Sequence, residues 1–456
     1  MDNVVVWQWV LVIIPSVIFF FTAPLAKTKE AFFKAAYKNK QPNLFMLTGS
    51  LVISWIFAKS ITNAANLGLD YGIVGGVAYG VYYLSFVVAG IVIYKLRAVG
   101  YKSIHEFLTS KYGRGAVLLF SLLISIRLFN EIWSNTMVIG TYFGETGSTP
   151  FYSAVIVFTL LTLAYSLKGG LSSSIFTDVI QLFLFLALLI IILYILFSND
   201  DFTTQTVVSS GVWSMETGGN LILVALLQVL SYPFHDPVMT DRGFISDKKT
   251  TIKSFLLASV LGFIGIVLFS LIGVYAKMNG YAGQAAVAVG QSLGVIVMLI
   301  INFIMITSAA STLDSTFSSF SKLIAFDLKI GQSLTWGRIA MVMVAVIGSI
   351  PVFLGAEILA ATTVSGTMVM GLAPIFVFWK IKAPRISFYL SVVNGLFFGF
   401  LLLIEGLPSQ WILTDGPYSL LLWINAWGLL SCIILFFIPV VIQKILESRT
   451  KPSLSA

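Results

Sequence analysis

Apolar residues gather along the chain in windows of about 20, the length a helix needs to cross a hydrocarbon core. Thirteen such windows are predicted as spans: 5–23, 43–66, 71–95, 115–142, 150–167, 173–197, 219–236, 255–276, 289–325, 336–354, 359–380, 386–405 and 417–443. Between the third and fourth, YKSIHEFLTSKYG (101–113) sets Ile104, Phe107 and Leu108 at helical spacing, which predicts a helix lying along a membrane surface. The connections are short, the longest external ones being the Asp200–Asp201 loop and 278–290, and none has room for a separate folded domain. The first window opens on Asp2 rather than on basic residues and lacks a small-residue cleavage pattern, so it reads as a retained helix rather than a signal peptide.

One window departs from this pattern. MITSAASTLDSTFSSFSKLIAFDL (305–328) is apolar overall, yet Ser308, Ser311, Thr312, Ser315 and Ser319 recur every three or four residues and share one helical face. Asp314 stands on the shoulder of that face, and Asp327 marks its exit from the apolar region. A stripe of hydroxyl oxygens with a carboxylate suits a small hard cation such as sodium (Na+) stripped of its water. The same small residues also suit close approach of membrane helices. The buried carboxylate favours the first reading, because a charge in lipid is costly and marks a functional position by default.

Composition agrees with the windows. The 456 residues are 58% hydrophobic and only 10% charged, a balance no soluble class has, which predicts an all-α polytopic membrane protein. The net charge of +8 follows topology rather than nucleic acid. Of the 27 Lys and Arg residues, all but Lys59, Arg127 and Lys277 fall at alternate boundaries: 24–42, 95–114, Lys168, 242–253, 322–338, 380–385 and the tail after 443. The positive-inside rule then predicts an inner (plasma) membrane protein with its N-terminus outside and its C-terminus cytoplasmic. Cys432 is the one cysteine and only two histidines occur, so neither a disulfide framework nor a cysteine or histidine metal site is expected. No catalytic triad or phosphate loop appears, and an enzyme is not expected.

Five charges fall inside the windows: Lys59, Arg127, Glu131, Asp178 and Asp314. Arg127 and Glu131 are four apart and can pair on one helix, either as a structural tie or as part of a site. Lys59, Asp178 and Asp314 together lack one positive charge, which favours a cation. A static Lys59–Asp314 pair is the plainer alternative. The segment FHDPVMTDRGFISDKK (234–249) reads by itself as a helix end and a solvated charged loop.

Three segments resemble the solute:sodium symporter family, which includes the sodium/glucose and sodium/proline symporters. YSLKGGLSSSIFTDVIQ (165–181) is similar to its Gly-Gly-Leu turn followed by Thr-Asp-x-x-Gln. The stretch 308–328 resembles its Ser-(Ser/Thr)-Leu-x-Ser helix, and HDPVMTDR (235–242) resembles its polar loop ending in arginine. YKSIHEFLTSKYG adds a weaker match, and the spacing fits over nearly the whole chain.

The resemblance implies a LeuT-type bundle of two inverted five-helix repeats, at 43–197 and 219–381. An extra helix and loop (1–42) would precede them, an external loop (198–218) would join them, and two helices with a tail (382–456) would follow. It implies a sodium site from the carbonyls of Ile53, Ile56 and Ser308 and the hydroxyls of Ser311 and Thr312. A second ion position resembles Asp178 with Ser311 and Ser315. The solute would contact Ser60, Asn63, Tyr79, Tyr82, Glu131 and Gln228, with Lys59 nearby, and Tyr232 matches an inner-gate aromatic. The sequence departs from the family twice. The first repeat helix has no Gly or Pro between Gly49 and Gly68, so its unwinding is expected to rest on Asn63, Asn66 and small residues. Lys59 and Asp314 (with Arg127, the expected charge-coupling residues) have no family counterpart.

The expected function is sodium-coupled symport of a small polar solute, such as an amino acid, sugar or carboxylate, by alternating access. One variant makes Lys59 a tethered cation for Asp314 or Asp178, with transport proton-coupled or uncoupled. A different class of reading is a symporter-like sensor or receptor; the tail KILESRTKPSLSA is short, so that reading requires a signalling partner chain.

Overall fold

The structure, a computed structural model, describes residues 2–36, 40–355 and 365–450, and its regular elements are helices. Helix α1 is Asp2–Thr22. The next span is broken: α2 (Leu44–Trp55) and α3 (Ala58–Tyr71) meet at 62°. Then come α4 (Ile73–Ala98), the short α5 (Ile104–Tyr112), α6 (Arg114–Thr141), α7 (Thr149–Gly169) and α8 (Leu171–Phe197). A second broken element follows, α9 (Gly219–Gln228), a 3-10 turn (Tyr232–His235) and α10 (Pro237–Arg242). The remainder are α11 (Lys248–Met278), α12 (Ala285–Ser292), α13 (Val295–Lys322), α14 (Leu334–Phe353), α15 (Leu372–Val377), α16 (Arg385–Leu403) and α17 (Ser419–Thr450).

Among the described residues ten helices are long and apolar enough to cross a membrane, or eleven with the bent α2–α3 pair, where the hydropathy windows predict thirteen. The two missing windows have separate reasons. At 219–236 the helix stops after ten residues at Gln228, a break that averaging over a window cannot register. The window 359–380 falls partly outside the described residues and leaves only α15 as a named helix. The chain is nonetheless an integral multi-pass membrane protein.

Local chemistry sets the helix ends. Asn43, Ser103, Ser148, Asp247 and Ser333 each turn a side-chain oxygen onto an exposed N–H of the first turn. Between α7 and α8 the chain reverses on Gly170, at φ +56°, and its N–H returns to the Ser166 carbonyl at 2.8 Å. Helix α5 buries Ile104, Phe107 and Leu108 on one face, as its periodicity predicts.

The bundle is organised around α13. Two-thirds of its apolar window is buried (67%), against 28% for the lipid-facing α8, and α13 packs on α6, α8 and α14. Helices α3 and α11 approach most closely. A Cβ on Gly273 would stand 1.7 Å from the Ala65 carbonyl oxygen, and one on Gly68 would stand 2.3 Å from that of Ser270. Without a hydrophobic driving force between helices in lipid, such backbone contact is what holds them together.

Candidate functional site

The break between α2 and α3 falls at Ile56 and Phe57, ahead of Asn63 and Asn66, which sit inside α3. This corrects the expected point of unwinding. Ile56 leaves helical geometry at ψ 70° and Phe57 is extended at ψ 155°, with neither glycine nor proline involved. The reason is tertiary. The Trp55 indole packs against Tyr83, Phe86 and Tyr232 at ring distances of 5.8, 4.9 and 5.8 Å, and its Nε1 donates to Asp236 at 2.8 Å. Tyr83 donates to the Trp55 carbonyl at 3.0 Å, one of those the helix end leaves without an intrahelical partner.

Beside the break lies a cavity of about 330 Å³. Lys59, Ser60, Asn63, Tyr79, Tyr82 and Gln228 line it, and Glu131 stands behind Lys59. Tyr232, Trp55 and Phe57 also line it, as do Asp70 near the end of α3, Leu221 near the start of α9 and Tyr418 just before α17. Tyr82 donates to Gln228 at 2.9 Å, and Gln228 donates in turn to Asn425 at 3.1 Å. Tyr79 donates to Ser60 at 3.3 Å. Tyr418, Leu421 and Asn425 come from the start of α17 and the residue before it, outside the two repeats to which the resemblance assigns the solute contacts.

A compact charge network lies on one wall. Lys59 Nζ is 2.7 Å from Glu131 and within 3.5 Å of the Asn130 and Ser134 oxygens. Arg127 pairs with Glu131 on its own helix and with Asp236 at 3.3 Å, and its guanidinium lies over Phe57 and Tyr232 at 5.6 and 5.2 Å. Two cations and two carboxylates therefore balance, all buried. The expected pairing of Lys59 with Asp314 or Asp178 is corrected: Lys59 belongs to this network.

The cation beside those two carboxylates is Arg242, the last residue of α10, which is fully buried. Its guanidinium donates to Ser50 at 2.6 Å, Asp178 at 2.9 Å, Ser315 at 2.8 Å and the Val238 carbonyl at 2.8 Å. Asp178 also accepts from Ser50 and Ser311, each at 2.5 Å. Asp314 accepts from Thr177 at 2.7 Å, Ser174 at 2.9 Å and Ser315 at 3.3 Å. The cluster holds two carboxylates and one guanidinium, a formal charge of −1, with every member at most 5% exposed. The sequence places Arg242 in a polar boundary segment, at the end of HDPVMTDR; its burial beside Asp178 follows from the path of α10, which the seventh window, ending at 236, does not cover.

Next to the cluster, Thr312 donates to the Ser308 carbonyl at 3.0 Å, and the buried Ser308 hydroxyl has no hydrogen-bond partner among the described residues. Helix α13 also packs on α2, whose end carries Ile53 and Ile56. The Ser308, Ser311 and Thr312 oxygens thus lie buried beside a formal charge of −1, on a helix that packs against α2, a donor set that fits an alkali cation. Asp327 stands apart: it meets Lys322 at 3.4 Å and His105 at 3.7 Å, and Lys322 pairs with Asp241 on α10. Burial holds His105 below the ordinary imidazole range, so it is neutral at pH 7.

No family model matches the chain, and no curated protein matches it significantly. Solved structures do. A substrate-bound, outward-open sodium-coupled sialic acid symporter superposes with a TM-score of 0.69 over 97% of both chains at 16% identity. Mhp1, a nucleobase-cation-symport-1 family transporter, matches in its closed form with bromovinylhydantoin bound at TM-score 0.59 and 13% identity, covering 95% of this chain and 98% of that one. Its inward-facing form gives TM-score 0.56 and 14% identity over 94% and 95%. Likeness at these identities establishes the fold, the LeuT-type inverted-repeat bundle.

Proposed function

We propose that the chain is a secondary active transporter of the solute:sodium symporter family, with repeats at 43–197 and 219–381, carrying one sodium ion with a small polar solute by alternating access. The observation that carries this reading is the formal charge of −1 left on Asp178, Asp314 and Arg242, with the Ser311 and Thr312 hydroxyls beside it and a Ser308 hydroxyl that has no partner among the described residues. One monovalent cation neutralises it. Its ligands in this reading are the carbonyls of Ile53, Ile56 and Ser308 with the hydroxyls of Ser311 and Thr312. The second ion position, at Asp178 and Ser315, is taken by the Arg242 guanidinium, so one ion rather than two accompanies each solute.

Sodium bridging α2 and α13 would favour the state in which the cavity opens toward Asp70, Leu221 and Tyr418, the external side in the positive-inside assignment. Solute bound to that state couples to sodium through a shared conformational preference. Ser60, Asn63, Tyr79, Tyr82 and Gln228 offer hydroxyls, amides and ring faces, while Lys59 and Glu131 are spent on each other. An uncharged solute fits this lining better than an acid, because Lys59, the cation among the described lining residues, is already paired. Tyr232, edge-on to Trp55 and under Arg127, forms the inner gate.

Proteoliposome uptake with and without an inward sodium gradient tests the reading, and equal rates would sink it. A proton in place of sodium is the second reading, favoured by the full burial of Asp314, which forms no ion pair among the described residues. Uptake driven by a pH gradient in sodium-free buffer, and abolished in Asp314→Asn, separates the two.

A further inference from the structure

Well away from the cavity, the loop joining α15 to α16 folds against α5 and encloses a second recess, of about 710 Å³. Lys111, Lys380, Lys382 and Arg385 line it, and no Asp or Glu is among its lining residues. Lys111 Nζ donates to the Trp379 carbonyl at 2.5 Å and lies near the Phe107 and Tyr112 rings at 5.5 and 5.3 Å. Lys380 rides over the Trp379 ring at 5.6 Å. The Arg385 guanidinium lies against Gly113, its Cζ 3.5 Å from where a Cβ would stand.

Elsewhere, the buried cations Lys59, Arg127 and Arg242 and the partly buried Lys322 are matched to carboxylates. By contrast, Lys111, Lys380, Lys382 and Arg385 form no ion pair among the described residues. Four converging cations in one concavity make an anion site, and arginine with lysine suits phosphate oxygens. The surroundings identify the source of that phosphate. Val99 and Ile386 beside the recess are 60% and 50% exposed, and Ile442 next to Gln443 on α17 is 52% exposed. These apolar side chains continue the lipid-facing surfaces of α16 and α17, so the occupant joins a charged head to apolar chains.

We propose that this recess binds the phosphate headgroup of an anionic membrane phospholipid, with Lys111, Lys380, Lys382 and Arg385 holding the phosphate and Val99 and Ile386 meeting the acyl chains. The lipid would tie α5, the α15–α16 loop and α17 into one unit, independently of what the transport cavity carries.

Native mass spectrometry on the full chain in detergent tests this, with phosphatidylglycerol, phosphatidylcholine or inorganic phosphate added. Phosphatidylglycerol is expected to be retained through delipidation and phosphatidylcholine lost. Because Lys380 and Lys382 are exposed, Lys380→Ala/Lys382→Ala should keep the fold while weakening retention about tenfold or more. Lys248→Ala/Lys249→Ala removes the same charge at the exposed start of α11 and should leave retention unchanged. Thermal midpoints in lipid-free detergent check that both variants are folded. Equal retention of the two lipids, or equal loss in the two variants, overturns the site. Displacement of phosphatidylglycerol by millimolar inorganic phosphate overturns the lipid as its occupant.

Discussion

Replacing Arg242 by alanine would withdraw the guanidinium from Ser50, Asp178 and Ser315 and leave two carboxylates buried without a counter-ion. Removing one partner of a buried pair costs about 3–5 kcal/mol, mostly the desolvation of the charge left behind. The loss should therefore be recovered largely in Arg242→Ala/Asp178→Asn, which removes the stranded charge as well. A second consequence concerns sodium. The cluster falls from a formal −1 to −2, and space opens beside Asp178 and Ser315, so a second cation can enter. Ligand binding to the folded state adds about 2.7 kcal/mol at a concentration 100 times Kd. Thermal unfolding in detergent, titrated with sodium chloride against choline chloride at constant ionic strength, reads both effects. Wild type should follow a one-ion dependence and Arg242→Ala a steeper, two-ion one, starting from a lower midpoint. A midpoint unmoved by Arg242→Ala, or a deficit untouched by Asp178→Asn, would refute the cluster's role; an unchanged sodium slope would refute the substitution of arginine for an ion.

Thr312→Ala removes a proposed ion ligand and should weaken the sodium-dependent rise in thermal midpoint about tenfold in apparent affinity, the worth of one hydrogen-bond-scale contact of 1–1.5 kcal/mol. Lys59→Met leaves Glu131 paired with Arg127, so sodium dependence should persist while solute uptake falls; uptake assays at several sodium concentrations separate the two. Gly273→Ala drives a methyl into the Ala65 carbonyl and should cost about 1–3 kcal/mol or more, seen as a lower midpoint and reduced yield of monodisperse protein. Burial pushes the Lys111 ammonium down to about 8. It faces the Trp379 carbonyl, with the cations Lys380, Lys382 and Arg385 and the amide of Gln443 around the same recess, so a bound anion would favour its protonated form. Phospholipid retention should accordingly weaken from pH 7 to pH 9, measured in the same mass spectra.

Periodicity made the membrane class, the surface helix α5 and the serine face of α13 legible, because each depends on which residues repeat along one element. The resemblance carried the topology further and pointed to side chains that the fold brings around one cavity. What escaped depends on contacts between elements. Trp55 breaks its helix through partners on α4 and around α10, none of them near it in sequence, so no local glycine or proline announces the kink. Lys59 and Asp314 looked like a pair only because both are charges in apolar windows. Their actual partners, Glu131 for the first and three hydroxyls for the second, are set by how α6 and α8 face α3 and α13. Arg242 lies just past a window edge, and only the folded path of α10 brings it into the interior.

The Trp55–Asp236 hydrogen bond joins the kink of one discontinuous span to that of the other, and Arg127 grips the same carboxylate from a third. The two hinges are yoked: neither swings without its counterpart unless this knot is first untied. In the proposed transport cycle this would resist slippage, since a half-turned intermediate through which ions leak would have to strand Asp236 dry and unaccompanied.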